Sequence, residues 1–228
     1  MKRRIRSSII GPLFAMAVAA LAIGSGACTT GPDEMAQELP ATDAAPVIKS
    51  SQTLKNLQTA FNGETNARAK YLEYAKKADA EGFGKVASLF RAAARSEQIH
   101  AANHSKVIRE MGATPEAEIK LPDIGTTEEN LKDAVKGETY ERDVMYADFL
   151  KEARATGNRD AILTFNFAKA AEAEHAKLYS AALEDLSKGR SSSEQFYVCP
   201  KCGFTTADPD IKKCPVDFTP KEDFEVVS

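Results

Sequence analysis

The chain has 228 residues, enough for one helical bundle of ordinary size with something small at each end. Its first six positions hold Lys2, Arg3, Arg4 and Arg6, and no acid occurs before residue 28. Without that segment 26 basic residues face 33 acidic ones, a balance that argues against a nucleic-acid partner.

Residues 1–27 have the order of a signal peptide: a basic start, an apolar run from Ile9 to Ile23, then small residues up to Ala27. The apolar run is too short to span a bilayer as a mature helix. Cys28-Thr29-Thr30-Gly31-Pro32 looks like a bacterial lipoprotein junction, with Cys28 as the acylated first residue. Ser25 stands where such junctions usually carry Leu, so plain cleavage after Ala27 is the alternative. Arg3-Arg4 could belong to a twin-arginine signal, although Ile5, Arg6 and Ser7 match that pattern poorly. The expectation is an exported protein, periplasmic or held at a membrane by lipid on Cys28. Residues 28–50, rich in Thr, Pro, Ala and Asp without an apolar period, are expected to be a flexible tether.

Residues 51–187 read as four helices. The first is expected to start near Ser51 or Thr53 and runs Leu57, Phe61, Glu64, Arg68, Tyr71, Ala75, Ala78 in steps of three and four. Gly82 and Gly84 mark the turn into the second, which runs Val86, Phe90, Ala93, Glu97, His100, His104, Val107, Met111. Gly112 ends it, and about eighteen residues with Pro115, Pro122 and Gly125 suit a crossover along the bundle. The third starts near Thr126 or Thr127 and runs Leu131, Ala134, Glu138, Glu141, Met145, Asp148. Gly157-Asn158 turns the chain into the fourth: Ile162, Phe165, Ala168, Glu172, His175, Tyr179, Leu183, Leu186.

Each inward stripe therefore carries at least one Glu where an apolar residue belongs. Two of them carry Glu-x-x-His, a spacing that sets carboxylate and imidazole on one helix face. Five inward carboxylates with one Arg at a stripe's edge cannot share a bundle core as bare anions; two divalent irons bring the sum near neutrality. One Glu from each of two helices and Glu-x-x-His from the other two is the ferritin-like di-metal carboxylate pattern. His104 reads as an orienting or packing residue rather than a ligand. The bundle is also an internal duplication. Gly63-Glu64-Thr65 recurs 74 residues later, whereas Phe90, Glu97 and His100 recur 75 residues later, a slip assigned to one extra residue in the second copy's turn.

The tail carries Cys199-Pro200-Lys201-Cys202-Gly203 and Cys214-Pro215-Val216-Asp217, two knuckles of a tetrahedral metal site with Asp217 in the fourth position. Oxidation of Cys199 and Cys202 to a disulfide is the alternative in an exported protein.

At this point the chain resembles the rubrerythrin family, over about residues 51–227. The matching residues are Ala60-Phe61-x-Gly63-Glu64, Tyr71, Phe90-Arg91, Glu97-x-x-His100-Ala101, Gly137-Glu138-x-x-Glu141, Met145-Tyr146 and Glu172-x-x-His175. The resemblance implies an all-α ferritin-like four-helix bundle at 51–187, a linker at 188–195 and a small C-terminal rubredoxin-like metal-knuckle domain at 196–228. It implies that Glu64, Glu97 and either Glu141 or His100 bind one iron, that Glu138, Glu172 and His175 bind the other, and that Glu97 and Glu172 bridge them. The resemblance further implies that Glu141 exchanges for His100 on reduction and that Tyr71 and Tyr146 orient carboxylates. Cys199, Cys202, Cys214 and Asp217 hold a further iron or zinc.

The implied activity is that of a non-haem peroxidase reducing hydrogen peroxide to water, with electrons passed in by the tail, across the subunits of a head-to-tail homodimer. Asp217 departs from the family's fourth Cys, and an oxygen ligand is expected to shift the potential and weaken the site, or to favour zinc or no metal. Export is a second departure, since the family is mostly cytoplasmic and fed by soluble reductases; it leaves the electron donor unassigned. A ferroxidase or iron-binding protein without efficient peroxide turnover is the alternative function. A structural bundle with a zinc-ribbon tail would leave the buried glutamates unexplained.

Overall fold

The computed structural model describes residues 51–188 and 190–228. The expected signal peptide, the tether and Cys28 lie outside the described residues. No helix among the described residues is long and apolar enough to cross a membrane.

Helix α1 spans Gln52–Glu81; it starts where the Ser51 hydroxyl accepts from Leu54 N–H and stops at Gly82, whose φ of 85° only glycine adopts freely. Helix α2 spans Gly84–Glu110 and lies antiparallel along α1. Residues 113–126 then run back along the bundle without helix. Three α1 amides spaced four apart hold that crossover in place. Gln58 donates to Thr114 O (2.6 Å), Asn62 accepts from Glu118 N (2.9 Å), and Asn66 both donates to Glu118 O (2.8 Å) and accepts from Lys120 N (2.6 Å).

Helix α3, Thr127–Tyr140, begins with a capping box between Thr126 and Glu129. A π-helical turn over Glu141–Met145 joins it to α4, Tyr146–Ala155. Helix α5, Arg159–Asp185, starts at an Asn158 cap and packs along α3 and α4.

The π turn corrects two sequence expectations. A π turn holds one residue more than an α turn, so it shifts the phase of everything after it. Beyond Glu138 the buried positions are Tyr146, Leu150 and Ala153, while Asp148, expected on the inward stripe, is exposed. The turn is also where the extra residue of the second copy lies, rather than in the connection between helices. Tyr71 already pairs with Tyr146 at an offset of 75, as Gly82 does with Gly157.

The two halves are related by pseudo-twofold symmetry down to their aromatic contacts. Tyr71 packs on Phe90 and Tyr179 at 5.9 and 5.6 Å between ring centres. Tyr146 packs on Phe165 and His104 at 5.9 and 6.0 Å. These two groups anchor separate apolar clusters, one at each end of the bundle's polar middle.

After α5, residues 190–195 form a strap rather than a free linker. Gly84 N donates to Ser191 O (2.8 Å) and Ser191 N donates to Gly82 O (3.2 Å). The strap crosses so closely that a Cβ on Gly84 would lie 2.7 Å from Ser193 N. The tail then forms a three-stranded antiparallel sheet in the order β2 (Thr205–Thr206), β1 (Phe196–Val198), β3 (Glu225–Val227). Arg95 of α2 grips it through both oxygens of Glu225, at 2.5 and 2.7 Å.

Deleting Val144, an exposed residue of the π turn, is expected to leave a continuous α-helix in which Tyr146, Leu150 and Ala153 stay inward, because the first copy places Tyr71 inward seven residues after Glu64 with no π turn. The stability change expected is no more than about 1 kcal/mol, that of an ordinary surface change. Denaturant unfolding measures it; a loss of several kcal/mol would show that the π turn does more than absorb the extra residue.

Candidate metal centre

Four helices bring six ionisable side chains to one buried point. Glu64 comes from α1, Glu97 and His100 from α2, Glu138 from α3, Glu172 and His175 from α5, and none is more than 1% exposed. Their donor atoms form two sets, each within 4.8 Å: Glu64, Glu97, His100 and Glu172, and then Glu97, Glu138, Glu172 and His175. The sets share Glu97 and Glu172. Each half of the duplication thus supplies one outer Glu, one shared Glu and one His.

The carboxylates are hydrogen-bonded on one side only. Glu64 accepts from Tyr146 OH and Glu138 from Tyr71 OH (2.6 Å), each tyrosine reaching across from the other half. The remaining oxygens, Glu64 Oε2, Glu97 Oε1, Glu138 Oε2 and Glu172 Oε1, are buried without a hydrogen-bond partner. Four orphaned carboxylate oxygens around one buried point are costly as bare anions and are satisfied by neighbouring cations, so the residues present fit a pair of divalent metal ions.

Both imidazoles present Nδ1 to this point. His100 Nδ1 lies 2.8 Å from Glu97 and 3.1 Å from Glu172; His175 Nδ1 lies 2.9 Å from Glu172 and 3.3 Å from Glu97. Their outer nitrogens take partners from the tail. His100 Nε2 lies 3.1 Å from the Cys202 carbonyl, which can only accept, so that nitrogen carries the proton. His175 Nε2 lies 3.2 Å from the Thr205 hydroxyl, which itself donates to Gly203 O (3.0 Å) and so accepts from the ring. Both Nδ1 lone pairs are thereby left for metal once a metal displaces the proton there.

Protonation without metal follows from burial and mutual charge. Burial, then the charges of Glu141 and Glu97, hold Glu64 well above the usual carboxylate range; burial, then Glu97 and Glu138, do the same for Glu172. Burial opposes ionisation of Glu97 too, but the charge of His175 and the hydrogen bond from His100 outweigh it and bring Glu97 to about 2. Burial lowers both imidazoles, and the facing carboxylates reverse that, taking His100 to about 9 and His175 well above 6.5. Glu141 lies outside both donor sets, half-buried at the π turn, and desolvation with the charges of Glu138 and Glu97 pushes it up to about 8. In this structure His100, not Glu141, faces the shared carboxylates.

The tail forms a second donor set in which Cys199, Cys202, Cys214 and Asp217 lie within 4.8 Å of one another. The three thiols are free, so the alternative Cys199–Cys202 disulfide is not formed. The two knuckles share one backbone path. Gly203 N donates to Cys199 O and Phe218 N to Cys214 O, and both residues after the knuckle are left-handed, Gly203 at φ 80° and Phe218 at φ 65°. Asp217 therefore occupies the position that Cys202 occupies in the first knuckle. Burial raises Asp217, but the Thr219 N–H and hydroxyl outweigh it and hold the carboxylate ionised.

Ser96 and Thr205, which the sequence reading did not single out, and Gly203, read there only as part of the first knuckle, meet the two histidines of the centre. Ser96 Oγ donates to Gly203 O at 2.7 Å, and a Cβ on Gly203 would collide with His100 Nε2 and lie 2.5 Å from Ser96 Oγ. Only a glycine at this position lets the tail touch the histidine. The one sequence signal was a glycine directly after a Cys knuckle. The tail sits on the bundle of its own chain, where the resemblance implied transfer between subunits.

A four-helix bundle with paired Glu and Glu-x-x-His donors at its centre defines a ferritin-like carboxylate protein. The sequence model of the Rubrerythrin family matches residues 55–183. Nigerythrin of Nitratidesulfovibrio vulgaris is 38% identical over 173 residues, 75% of this chain and 85% of its own. Rubrerythrin-2 of Clostridium acetobutylicum is 34% identical over 78% of this chain and 98% of its own. The solved structure of fully reduced, all-ferrous nigerythrin superposes with a TM-score of 0.71 at 33% identity, covering 85% of this chain and all of that one. A bacterioferritin of Mycobacterium tuberculosis, 23% identical over 60% of this chain with a TM-score of 0.55, shares the bundle fold. The chain belongs to the rubrerythrin family. Its buried donor sets fit a di-iron centre, and its tail set fits one further metal ion.

Because His100, His175, Glu64 and Glu172 have folded-state pKa values above their ordinary ones, their contribution to the metal-free fold is present at low pH and lost as pH rises. Glu97 has the opposite sign and loses its contribution only as pH falls toward about 2. The melting temperature of metal-free protein is expected to fall as pH rises from 6.5 through about 9, and bound divalent metal is expected to remove that fall. A metal-free melting temperature that climbs through this window would contradict this balance of burial and charge. Gly203→Ala is expected to undock the tail, so that protease cuts the strap at least tenfold faster while helix content stays unchanged. Unaltered protease resistance would mean that the Gly203 contact does not hold the tail.

Proposed function

We propose that this protein is a non-haem di-iron peroxidase that reduces hydrogen peroxide to water in defence against oxidative stress, taking electrons through its tail metal site. The observation that carries the reading is the His100 ring. One nitrogen meets the carbonyl of Cys202, a tail donor residue, and the other meets the shared carboxylates, so one side chain spans both metal sites. Membership of the rubrerythrin family and the likeness to nigerythrin support it. Bound iron would supply the electron pair that peroxide takes up with two protons to become two waters.

The chain's own residues do the rest. Glu64, Glu97, Glu138, Glu172, His100 and His175 would hold the two irons, with Glu97 and Glu172 common to both. Tyr71 and Tyr146 fix one oxygen of the outer glutamates and so aim the other inward. Glu141, half-buried and raised to about 8, can hold a proton at the rim near neutral pH and can replace His100 as a donor. The packed aromatic groups at each end keep water out of the centre. Cys199, Cys202, Cys214 and Asp217 would hold the tail metal. The electron donor, delivery within or between chains, export and a lipid on Cys28 complete the proposal. Asp217 supports a second reading, a ferroxidase in which an oxygen-ligated tail metal does not pass electrons on.

Anaerobic reduction of the iron-loaded protein, followed by one equivalent of hydrogen peroxide with optical spectra at each stage, separates these. Rapid reoxidation of the bundle irons with the tail metal following is the expected result. A bundle that reoxidises beside a silent tail would favour the ferroxidase reading, and a protein that binds no iron would overturn both.

A further inference from the structure

His104 is fully buried and takes no part in either donor set, yet its two nitrogens are both engaged. Nδ1 lies 2.9 Å from Thr164 Oγ1, and Nε2 lies 3.1 Å from Tyr146 OH. Tyr146 in turn donates to Glu64 Oε1. Both nitrogens are hydrogen-bonded to neutral hydroxyls, and a fully buried ring with no hydrogen-bonded counter-charge is neutral and carries one proton.

The direction of every hydrogen bond follows. Tyr146 gives its proton to Glu64, so its oxygen must accept from His104 Nε2–H. Nδ1 is then the bare nitrogen, and Thr164 must donate to it. Three consecutive hydrogen bonds thus point the same way, inward to Glu64. At the outer end Thr164 lines a surface groove of about 90 Å³ shared with Asn103, Lys106, Glu110 and Asp160.

The duplication shows that this path is not a by-product of the fold. By the offset of 75, His104 corresponds to Tyr179 and Thr164 to Leu89. Tyr71 still donates to Glu138, but the Tyr179 hydroxyl beside it is buried without a partner and Leu89 has no hydroxyl. One half of the centre has a polar path to the surface; the other is closed by apolar groups.

We propose that Thr164, His104 and Tyr146 form a one-sided proton relay from the groove to Glu64. It rests on the peroxidase reading, in which each peroxide takes up two protons. In one passage Thr164 Oγ1 gives its proton to His104 Nδ1, His104 Nε2 gives its own to Tyr146, and Tyr146 gives its own to Glu64. Thr164 regains one from a hydronium in the groove, which is left as water. Each relay member stays neutral, and the His104 ring ends in its other tautomer; a flip of the ring with rotation of the two hydroxyls resets the path, because the reverse transfer would carry the proton back out.

Two measurements test the relay, one of them without iron. In the metal-free protein, 15N shifts of His104 are expected to show Nε2 protonated and Nδ1 bare; the opposite tautomer or an imidazolium overturns the relay. With iron loaded and reduced, Thr164→Val keeps the side chain's shape and removes its hydroxyl. It is expected to keep two bundle irons per chain and an unchanged spectrum, while peroxide reoxidation slows about tenfold or more and the solvent deuterium isotope effect changes. Tyr179→Phe, on the closed side, is expected to leave both unchanged. Wild-type rate and isotope effect in Thr164→Val overturn the relay alone. A wild-type protein that peroxide does not reoxidise overturns the peroxidase reading as well.

Discussion

Four carboxylate oxygens, buried at the centre of the bundle with nothing to hydrogen-bond, set the terms for everything around them. Each would rather be in water or beside a cation, and burial shuts them off from bulk solvent. Without metal the molecule relieves the repulsion by protonating: Glu64, Glu172 and both imidazoles hold their protons far more tightly than in solution. With metal the same atoms become donors. The tyrosines from opposite halves make this possible, because each satisfies one oxygen of an outer glutamate and leaves the other no choice of direction. Packing and chemistry are one problem in this bundle, since the aromatic groups that exclude water are built on those same tyrosines.

The tail belongs to that centre as much as the helices do. It supplies the acceptors for the outer nitrogens of both histidines, and through them it decides which nitrogen faces the metals. The contact needs a backbone that comes within hydrogen-bond reach of an imidazole, which is why a left-handed glycine follows the first knuckle. In the second knuckle the equivalent position is Phe218, also left-handed but exposed to solvent, so no close approach is demanded there. Asp217 keeps its place in the tetrahedral set while changing its chemistry from soft sulfur to hard oxygen.

Duplication gives the centre two matched halves, and departures from duplication give it direction. The π turn absorbs the inserted residue, so Tyr146 still reaches Glu64 as Tyr71 reaches Glu138. The exchange of Tyr179 for His104 and of Leu89 for Thr164 opens only one half toward the surface. A symmetric pair of metal sites with an asymmetric surround suits a reaction whose substrate, electrons and protons arrive from different sides.

By itself the sequence determined the helical bundle, the inward stripes of Glu64, Glu97, Glu138, Glu172, His100 and His175, and the paired knuckles of the tail. It could do so because a helix has a fixed period and a charged residue on an apolar stripe is conspicuous. It also exposed the duplication, but misplaced the extra residue, because a π turn leaves no residue-type signature and shows only as a change of phase. The strap across Gly84 reads in the sequence only as a polar linker, since its ladder partners lie about a hundred residues earlier. His104 was seen as an orienting residue, yet its partners Thr164 and Tyr146 come from other helices, and no spacing along the chain relates them. Ser96, Gly203 and Thr205 meet the histidines for the same reason. Which groups meet across elements is set by how the helices and the tail dock, and only the tertiary structure decides that.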